Sequence, residues 1–283
     1  MGEIRTVGVL GCGLMGAGIA QVCAQAGYRT IVREVDDGFL AKGMGRIEKF
    51  LEAGVSKGKM TSAARDDIRG RLSGTTRIED LGEVDLVIEA IVERLEEKRA
   101  TFAAVEDVVG EATIVCSNTS SLCITEMAAA TKRPDRVAGL HFFNPVPLMK
   151  LVEVIRALTT SDETYRRVFD FAASLGKQPI TAPDRPGFIV NRLLVPYLLD
   201  AIRAYERGLG SLEDIDKGMT LGCGYPMGPF TLLDFVGLDT TYFIANIMYE
   251  EYREPAYAPP PLLKRMVLAG RLGKKSGEGF FKY

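Results

Sequence analysis

His141 is the only histidine of the chain, and it stands in an apolar stretch, GLHFFNP. Imidazole is the side chain whose ordinary pKa, about 6.5, suits proton transfer at neutral pH. Glu153 stands in a second apolar stretch, LVEVI, where a buried carboxylate needs a polar partner. Together the two would form an acid–base group and the carboxylate that orients it. The alternatives are a histidine satisfied in the core and a Glu153 salt bridge to Lys150 or Arg156.

A glycine-rich motif near the start of the chain predicts a dinucleotide-binding loop. Gly11, Gly13 and Gly16 form G-x-G-x-x-G between a β-branched run and a helix-forming stretch, which is the context that this motif requires. The three glycines permit a tight turn, a close approach of the backbone to a pyrophosphate, and tight packing of helix on strand. Leu14 and Met15 open the helix, whose unpaired N–H groups would bind the phosphates.

The end of the second predicted strand bears on the choice of cofactor. Glu34 stands where an acid binds the adenosine ribose hydroxyls of a dinucleotide. A carboxylate there favours NAD, because it would repel the 2′-phosphate of NADP. Arg33 beside it could accept that phosphate, so NADP stays an alternative, as does a simple charged surface turn.

Strand-like and helix-like stretches alternate over the first two thirds of the chain, which predicts the α/β class with a mainly parallel, doubly wound sheet. The predicted strands are 4–10, 29–33, 84–89, 112–117, 137–143, 150–156 and 178–182. The predicted helices are 14–26, 38–70 with a break at 54–58, 95–109 and 161–175. The strands are nearly continuous apolar runs, as expected when helices cover both faces of a sheet.

The strand signals stop at APDRPG, residues 182–187, and only helical patterns follow, at 188–208, 211–221, 230–252 and 260–270. We therefore predict a Rossmann-type domain over 1–185 and an all-helical domain over 186–283. Pro196 lies inside the first of these helices and should kink it or mark a local break.

Polar residues follow three of the predicted strands, at the point where each strand ends. Ala90 and Glu93 follow one strand, Ser120 follows the next, and Asn144 follows the strand that carries His141. Ligands of doubly wound sheets collect at the carboxyl ends of the strands. We therefore expect these side chains to line one crevice.

Composition excludes several classes of protein. The chain has 283 residues, of which 47% are hydrophobic and 25% charged, with a net charge of −2. These values are ordinary for a soluble globular protein and argue against a general binder of nucleic acid or of anionic membranes. No apolar stretch reaches the ~18 residues of a membrane span. A single histidine argues against a histidine-based metal site, so we expect no metal.

Cysteine usage and the N-terminal residues bear on location. The five cysteines show neither C-x-x-C nor paired spacing, and their number is odd, so a reducing compartment is the simpler prediction. The opening residues, MGEIRTVGVLGCG, lack the basic and apolar blocks of a signal peptide. We expect a cytoplasmic protein.

With these motifs in hand, the chain resembles the short-chain L-3-hydroxyacyl-CoA dehydrogenases, and within them the 3-hydroxybutyryl-CoA dehydrogenase type. The similar stretches span almost the whole chain, and the pattern H-F-F-N-P-x-x-x-x-K-L-V-E is the most specific of them. They are VGVLGCGLMGAGIAQ (7–21), DLVIEAIVE (85–93), SNTSSL (117–122), HFFNPVPLMKLVEVI (141–155), GFIVNRLL (187–194), PMGPF (226–230) and GKKSGEGFF (273–281).

This resemblance implies an oxidoreductase that interconverts (S)-3-hydroxybutyryl-CoA and acetoacetyl-CoA by hydride transfer to or from a nicotinamide cofactor. It implies that His141 is the catalytic base, that Glu153 orients it, and that Ser120 and Asn191 bind the substrate oxygens. Contacts to the cofactor beyond the glycine loop and Glu34 are then predicted at Ala90, Glu93, Lys98, Ser120 and Asn144.

The resemblance also implies partners. Coenzyme A carries phosphates that attract basic side chains, and the family binds it near the helical excursion after the second strand, where we prefer Lys57 and Lys59. A solvated charged face is the alternative for these lysines. Family members are usually homodimers through the helical domain, so we expect a homodimer, and the apolar segment 219–249 fits an interface or a core equally well.

Two other functions remain alternatives at this point. One is an NAD(P)-dependent dehydrogenase of a free 3-hydroxy acid, which would share this layout but relies on a lysine as its acid–base group. The other is a non-catalytic dinucleotide-binding structural protein, against which the complete set of His141, Glu153, Ser120 and Asn191 argues. Arg33 is a departure from many relatives, which carry an apolar residue before the acid.

Overall fold

The computed structural model describes residues 3–283, and the chain divides into two units, Met1–Asp184 and Arg185–Tyr283. The first unit is built of strands and helices, and the second is built of helices. The prediction of a doubly wound sheet followed by a helical domain is therefore confirmed.

One eight-stranded sheet forms the centre of the first unit. Its strands are β1 (Thr6–Leu10), β2 (Arg29–Arg33), β3 (Leu72–Thr75), β4 (Leu86–Glu89), β5 (Ile114–Ser117), β6 (Val137–Phe142), β7 (Leu151–Arg156) and β8 (Gln178–Pro183). They lie in the order β3-β2-β1-β4-β5-β6-β7-β8. Every neighbouring pair is parallel except β6 and β7, which are antiparallel. The strand order reverses between β1 and β4, and ligands bind outside the carboxyl ends of the strands at such a point.

Six α-helices of the described first unit accompany the sheet. They are α1 (Leu14–Gln25), α2 (Asp37–Ser56), α3 (Ser62–Gly70), α4 (Leu95–Glu106), α5 (Ile124–Ala128) and α6 (Asp162–Ser174). Every residue of β4, β5 and β6 is buried. This explains why the strands are continuous apolar runs, since a strand of a parallel sheet is covered on both faces.

The excursion after β2 contains a strand that the sequence did not predict. The predicted helix 38–70 is two helices, and the break falls at 57–61, slightly later than expected. Thr61 begins α3 by accepting a hydrogen bond from the backbone N–H of Ala64 at 3.1 Å. The strand β3 then follows at once, and its four residues, LSGT, are all at least partly exposed. So short and polar a segment carries no strand pattern of its own, and it becomes a strand by pairing with β2 at the edge of the sheet.

Five α-helices form the second unit around a core of its own. They are α7 (Val190–Glu206), α8 (Leu212–Lys217), α9 (Pro229–Val236), α10 (Leu238–Tyr252) and α11 (Pro261–Leu268). The core includes Leu198, Ile202, Phe230, Met248 and Leu263.

Two predicted helices of this unit need comment. The helix predicted at 230–252 is wrong as a single element, because Gly237 interrupts it with φ of +103°, a left-handed conformation that glycine adopts most readily. The helix α7 continues through Pro196 as one element, so no break occurs there. No helix among residues 3–283 combines the length and the apolar character needed to cross a membrane.

Candidate active site

The glycine loop connects β1 to α1 and leaves room for a ligand. Gly11 has φ of +86°, and a Cβ there would lie 2.7 Å from the carbonyl oxygen of Ala90. A Cβ on Gly16 would collide with the carbonyl oxygen of Gly11, so these two positions require glycine. Gly13 faces open space and begins α1 without a side-chain cap. A helix N-terminus with uncapped N–H groups behind a glycine turn fits the diphosphate of a dinucleotide.

Glu34 follows β2 and ties the glycine loop to that strand. Its Oε1 accepts a hydrogen bond from the backbone N–H of Cys12 at 2.7 Å, and its Oε2 accepts one from Val35 at 2.8 Å. The carboxylate is therefore held beside the loop, where its remaining lone pairs can accept ribose hydroxyls. Arg33 has a buried Nε with no hydrogen-bond partner among the described residues.

The antiparallel pairing of β6 with β7 brings His141 and Glu153 together. The two residues stand directly opposite each other in the register of the strands. His141 is 4% exposed and Glu153 is fully buried, and their Nδ1 and Oε2 atoms are 2.7 Å apart. A carboxylate accepts this bond, so Nδ1 carries the proton and Nε2 presents the lone pair of the imidazole.

The other nitrogen of His141 contacts the loop that follows β5. Nε2 lies 3.2 Å from the hydroxyl oxygen of Ser120. Arg156, an alternative partner for Glu153, pairs with Asp162 at 2.5 Å on the surface. The imidazole thus stands between a carboxylate and a hydroxyl, which is the arrangement of an oriented general acid–base group.

A buried network of charges joins the loops that follow β4 and β5. Lys98 is 1% exposed, and its Nζ lies 2.6 Å from Oε1 of Glu89 and 3.1 Å from Oε2 of Glu93. Glu93 in turn accepts hydrogen bonds from the hydroxyl of Thr119 and, at 3.0 Å, from the backbone N–H of Ser120. The predicted residues Glu93, Lys98 and Ser120 are therefore brought into one connected group.

Sequence reasoning missed Glu89, the acid at the centre of this network. It is fully buried at the end of β4. The signal was present, because a glutamate that ends the apolar run DLVIE must find a partner, as was argued for Glu153.

Asparagines shape the loop after β6. Asn118 follows β5, and its Oδ1 accepts the backbone N–H of Phe142 at 2.9 Å and so ties the β5 loop to β6. Asn144 is exposed and lines a cleft of about 110 Å³ with Leu14 and Arg46. Residues of α1, α2 and the loop after β6 line this cleft. Because Ala90, Glu93 and Ser120 are not among them, the single polar crevice stays a prediction.

Three further predicted residues belong to other elements of the chain. Lys57 and Lys59 are exposed on the turn between α2 and α3. Asn191 lies half-buried in the first turn of α7, in the second unit. Within the described residues, no group of three or more histidine, cysteine or acidic side chains is placed to hold a metal ion.

The doubly wound sheet with its glycine loop, followed by a helical unit, is typical of dinucleotide-dependent oxidoreductases. The chain belongs to the 3-hydroxyacyl-CoA dehydrogenase family, because residues 6–185 match the family model for its NAD binding domain and residues 187–283 match the model for its C-terminal domain. The resemblance noted from the motifs is thereby confirmed.

Individual relatives agree with this assignment. The chain is 51% identical over 282 residues to a 3-hydroxybutyryl-CoA dehydrogenase of Mycobacterium tuberculosis, with 99% of each chain covered. Among solved structures, it superimposes on FadB2 of M. tuberculosis with a TM-score of 0.98, at 51% identity and 100% coverage of both chains. The (S)-3-hydroxybutyryl-CoA dehydrogenase PaaH1 of Ralstonia eutropha gives a TM-score of 0.95 at 44% identity, with 99% of each chain covered.

Proposed function

We propose that this protein interconverts (S)-3-hydroxybutyryl-CoA and acetoacetyl-CoA, with His141 as the acid–base group. The observation that carries the proposal is the buried imidazole of His141, held at 2.7 Å from Glu153 and at 3.2 Å from Ser120. The names of the relatives from M. tuberculosis and R. eutropha support the choice of substrate.

His141 moves one proton in each turnover. In oxidation, Nε2 accepts the proton of the 3-hydroxyl while the hydrogen on C3 leaves as hydride, so that the C3–O bond becomes a carbonyl. A bound nicotinamide cofactor supplies the acceptor of that hydride, or its donor in the reverse direction. In reduction, the imidazolium returns the proton to the oxygen on C3.

Neighbouring groups make that proton transfer favourable. The carboxylate of Glu153 fixes the imidazole with its proton on Nδ1 and stabilises the imidazolium that forms. Ser120 and Asn191 orient the substrate oxygens, so that positioning and charge stabilisation supply the catalysis. No covalent intermediate with the protein is needed.

We propose NAD as the cofactor. The glycine loop and the uncapped start of α1 would hold the diphosphate, Glu34 the adenosine ribose, and the loops that carry Ala90, Glu93, Lys98, Ser120 and Asn144 the nicotinamide half. The NADP alternative keeps one supporting observation, which is the unpaired, buried Nε of Arg33 beside Glu34.

The two domains then have separate tasks. Residues 1–185 bind the dinucleotide, and residues 186–283 complete the substrate site and form a homodimer. Exposed apolar side chains of the second unit, such as Leu193 at 73% and Leu221 at 84%, favour a partner surface.

Lys57 and Lys59 would meet the phosphates of coenzyme A. Five free cysteines fit a reducing cytoplasm. Light scattering at micromolar concentration tests the dimer, and a monomeric mass would refute it.

The test of the proposed function is the loss of reduced-nicotinamide absorbance with acetoacetyl-CoA, run in parallel with NADH, with NADPH and with free acetoacetate. Fast loss with NADH and acetoacetyl-CoA is expected. Faster loss with NADPH would favour NADP as the cofactor, with Arg33 accepting its 2′-phosphate. Turnover of free acetoacetate alone would establish the free hydroxy-acid alternative, and no turnover of any substrate would favour a structural protein.

A further inference from the structure

We infer that Glu89 is a positioning residue, which sets the distance between Ser120 and His141 through two hydrogen-bonded arms. In the proposed mechanism, Glu89 neither donates nor accepts the transferred proton. It ends β4 and is fully buried, and its two carboxylate oxygens bind side chains of different elements, Lys98 of α4 and Ser117 of β5.

The first arm runs through charged side chains. Oε1 of Glu89 accepts from Nζ of Lys98 at 2.6 Å, and the same Nζ reaches Oε2 of Glu93 at 3.1 Å. The other oxygen of Glu93 accepts the backbone N–H of Ser120 at 3.0 Å. Glu93 is therefore clamped between the ammonium group and the loop that carries Ser120.

The second arm runs through a hydroxyl. Oε2 of Glu89 accepts from the Oγ of Ser117 at 2.6 Å, and that Oγ accepts the backbone N–H of Thr119 at 3.1 Å. Both arms thus end in the same short loop, at Thr119 and at Ser120. These hydrogen bonds lie in a buried region of low dielectric, where linked bonds strengthen one another, so a change at Glu89 propagates along both arms.

The side chain of glutamine at position 89 would disturb both arms while keeping the shape. The bond from Lys98 and the bond from the backbone N–H of Ile91, at 2.7 Å, both need an acceptor at Oε1. The amide NH₂ would then face Ser117, whose hydroxyl could no longer donate there. Lys98 would also lose one of its two carboxylate partners, which changes its hold on Glu93.

A matched control exists in the same unit. Glu106 is also a carboxylate paired with a cation, since its Oε1 lies 3.0 Å from Nε of Arg133, and its side chain is 7% exposed. It lies at the far end of α4, away from the loops after β4 and β5. Glu106→Gln should therefore lower stability without moving Ser120.

The first readout is the imidazole itself. Because His141 is the only histidine, tag-free protein labelled with ¹⁵N-histidine gives one imidazole to observe, without substrate or cofactor. We expect the Nε2 resonance of Glu89→Gln to move at least half of the way from the wild-type position to that of Ser120→Ala. Glu106→Gln should leave it in place. An unmoved resonance in a folded Glu89→Gln variant would overturn the inference.

The second readout is a double-mutant cycle, which rests on the proposed function because it needs turnover of acetoacetyl-CoA. Glu89→Gln should lower kcat about five- to tenfold in the wild type and less than about twofold when Ser120 is already alanine. Equal losses in both backgrounds would show that Glu89 acts on something other than Ser120, and would refute the inference. Should Glu89→Gln fail to fold, Ser117→Ala removes one arm alone and is expected to show the same coupling. If wild type shows no turnover, the proposed function fails, and the imidazole resonance still decides the role of Glu89.

Discussion

Both units bury carboxylates, but the groups that bind them differ. In the helical unit, Asp234 accepts the backbone N–H groups of Phe280 and Phe281, each at 2.8 Å. Asp216 does the same for Phe230 and Thr231, at 2.8 and 2.9 Å. In the first unit, the buried carboxylates of Glu89 and Glu153 also bind side chains that carry charge or can exchange a proton, Lys98 and His141.

The two kinds of partner indicate two roles for a buried carboxylate. One role is structural, and the other is control of a proton. Asp216 and Asp234 bind neutral donors, which are backbone N–H groups and the hydroxyls of Thr231 and Tyr283. Because these donors do not change their charge, the two carboxylates fix the path of the chain. Burial raises the pKa of Asp234, and the two backbone donors act against that rise. A carboxylate against an imidazole instead controls where a proton resides, as Glu153 does for His141. The following variants test whether this division holds.

The largest effect is expected for Glu153→Gln. Glutamine keeps an acceptor for Nδ1 of His141 but removes the charge that stabilises imidazolium. We expect kcat for acetoacetyl-CoA to fall about 10²- to 10³-fold, the range of general acid–base catalysis. Stopped-flow or steady-state assays with NADH measure it, and Glu111→Gln on the exposed turn before β5 is the control. A loss of less than tenfold would assign Glu153 a structural role, like that of Asp216 and Asp234.

Asn191→Ala tests whether the helical unit contributes to the chemistry. A hydrogen bond to a charged or developing-charge oxygen is worth about 1.5–3 kcal/mol, so kcat/KM should fall about 10- to 100-fold. The melting temperature should change by less than about 2 °C, because the side chain is only half-buried. Asn246→Ala, whose exposed Nδ2 donates to the carbonyl of Tyr242, is the matched control. Unchanged kinetics would confine the chemistry to the first unit.

Asp234→Asn should show the opposite pattern. An amide cannot accept at both of its ends, so at least one backbone N–H of the C-terminal segment loses its partner. The free energy of unfolding should fall by about 1–3 kcal/mol, which lowers the melting temperature by about 5 °C. Calorimetry measures this, with the exposed Asp200→Asn as control, and kcat should stay within about twofold. A large fall in kcat at an unchanged melting temperature would contradict a purely structural role for Asp234.

The smallest effect concerns thiol reactivity, which again divides the units. Burial, with a smaller contribution from Glu34, raises the pKa of Cys12 to about 11. The thiolate is the reactive form, and at pH 8 only about one Cys12 side chain in a thousand would be a thiolate. Cys223 is exposed in the second unit. We expect one fast equivalent with Ellman's reagent, lost in Cys223→Ser, and slow labelling of Cys12 that rises toward pH 11. Two fast equivalents would contradict this.

The residues of the candidate site could be proposed from the sequence, whereas most connections between them could not. His141 and Glu153 were each recognisable as polar residues in apolar strands, and their pairing was a hypothesis from chemical need. Their distance depends on the antiparallel register of β6 and β7, which no local pattern encodes. The burial of Lys98 depends on Glu89, and only the folded sheet brings the two together.

The misjudged elements have a similar cause. β3 exists because β2 offers it an edge, and its own residues favour a loop. Gly237 falls within an apolar, helix-like run, where a single glycine is tolerated, so only its left-handed conformation reveals the break between α9 and α10. Long amphipathic or apolar elements are predictable from local pattern, whereas edges and short breaks depend on tertiary partners.

The most direct test of the account is the rate of NADH oxidation by His141→Gln with acetoacetyl-CoA, measured beside the affinity of the same variant for NADH. If His141 is the proton donor, kcat should fall by at least about a thousandfold, while NADH binding, followed by nucleotide fluorescence, stays within about twofold. Turnover within about tenfold of wild type would contradict the account, because the proton would then come from another group.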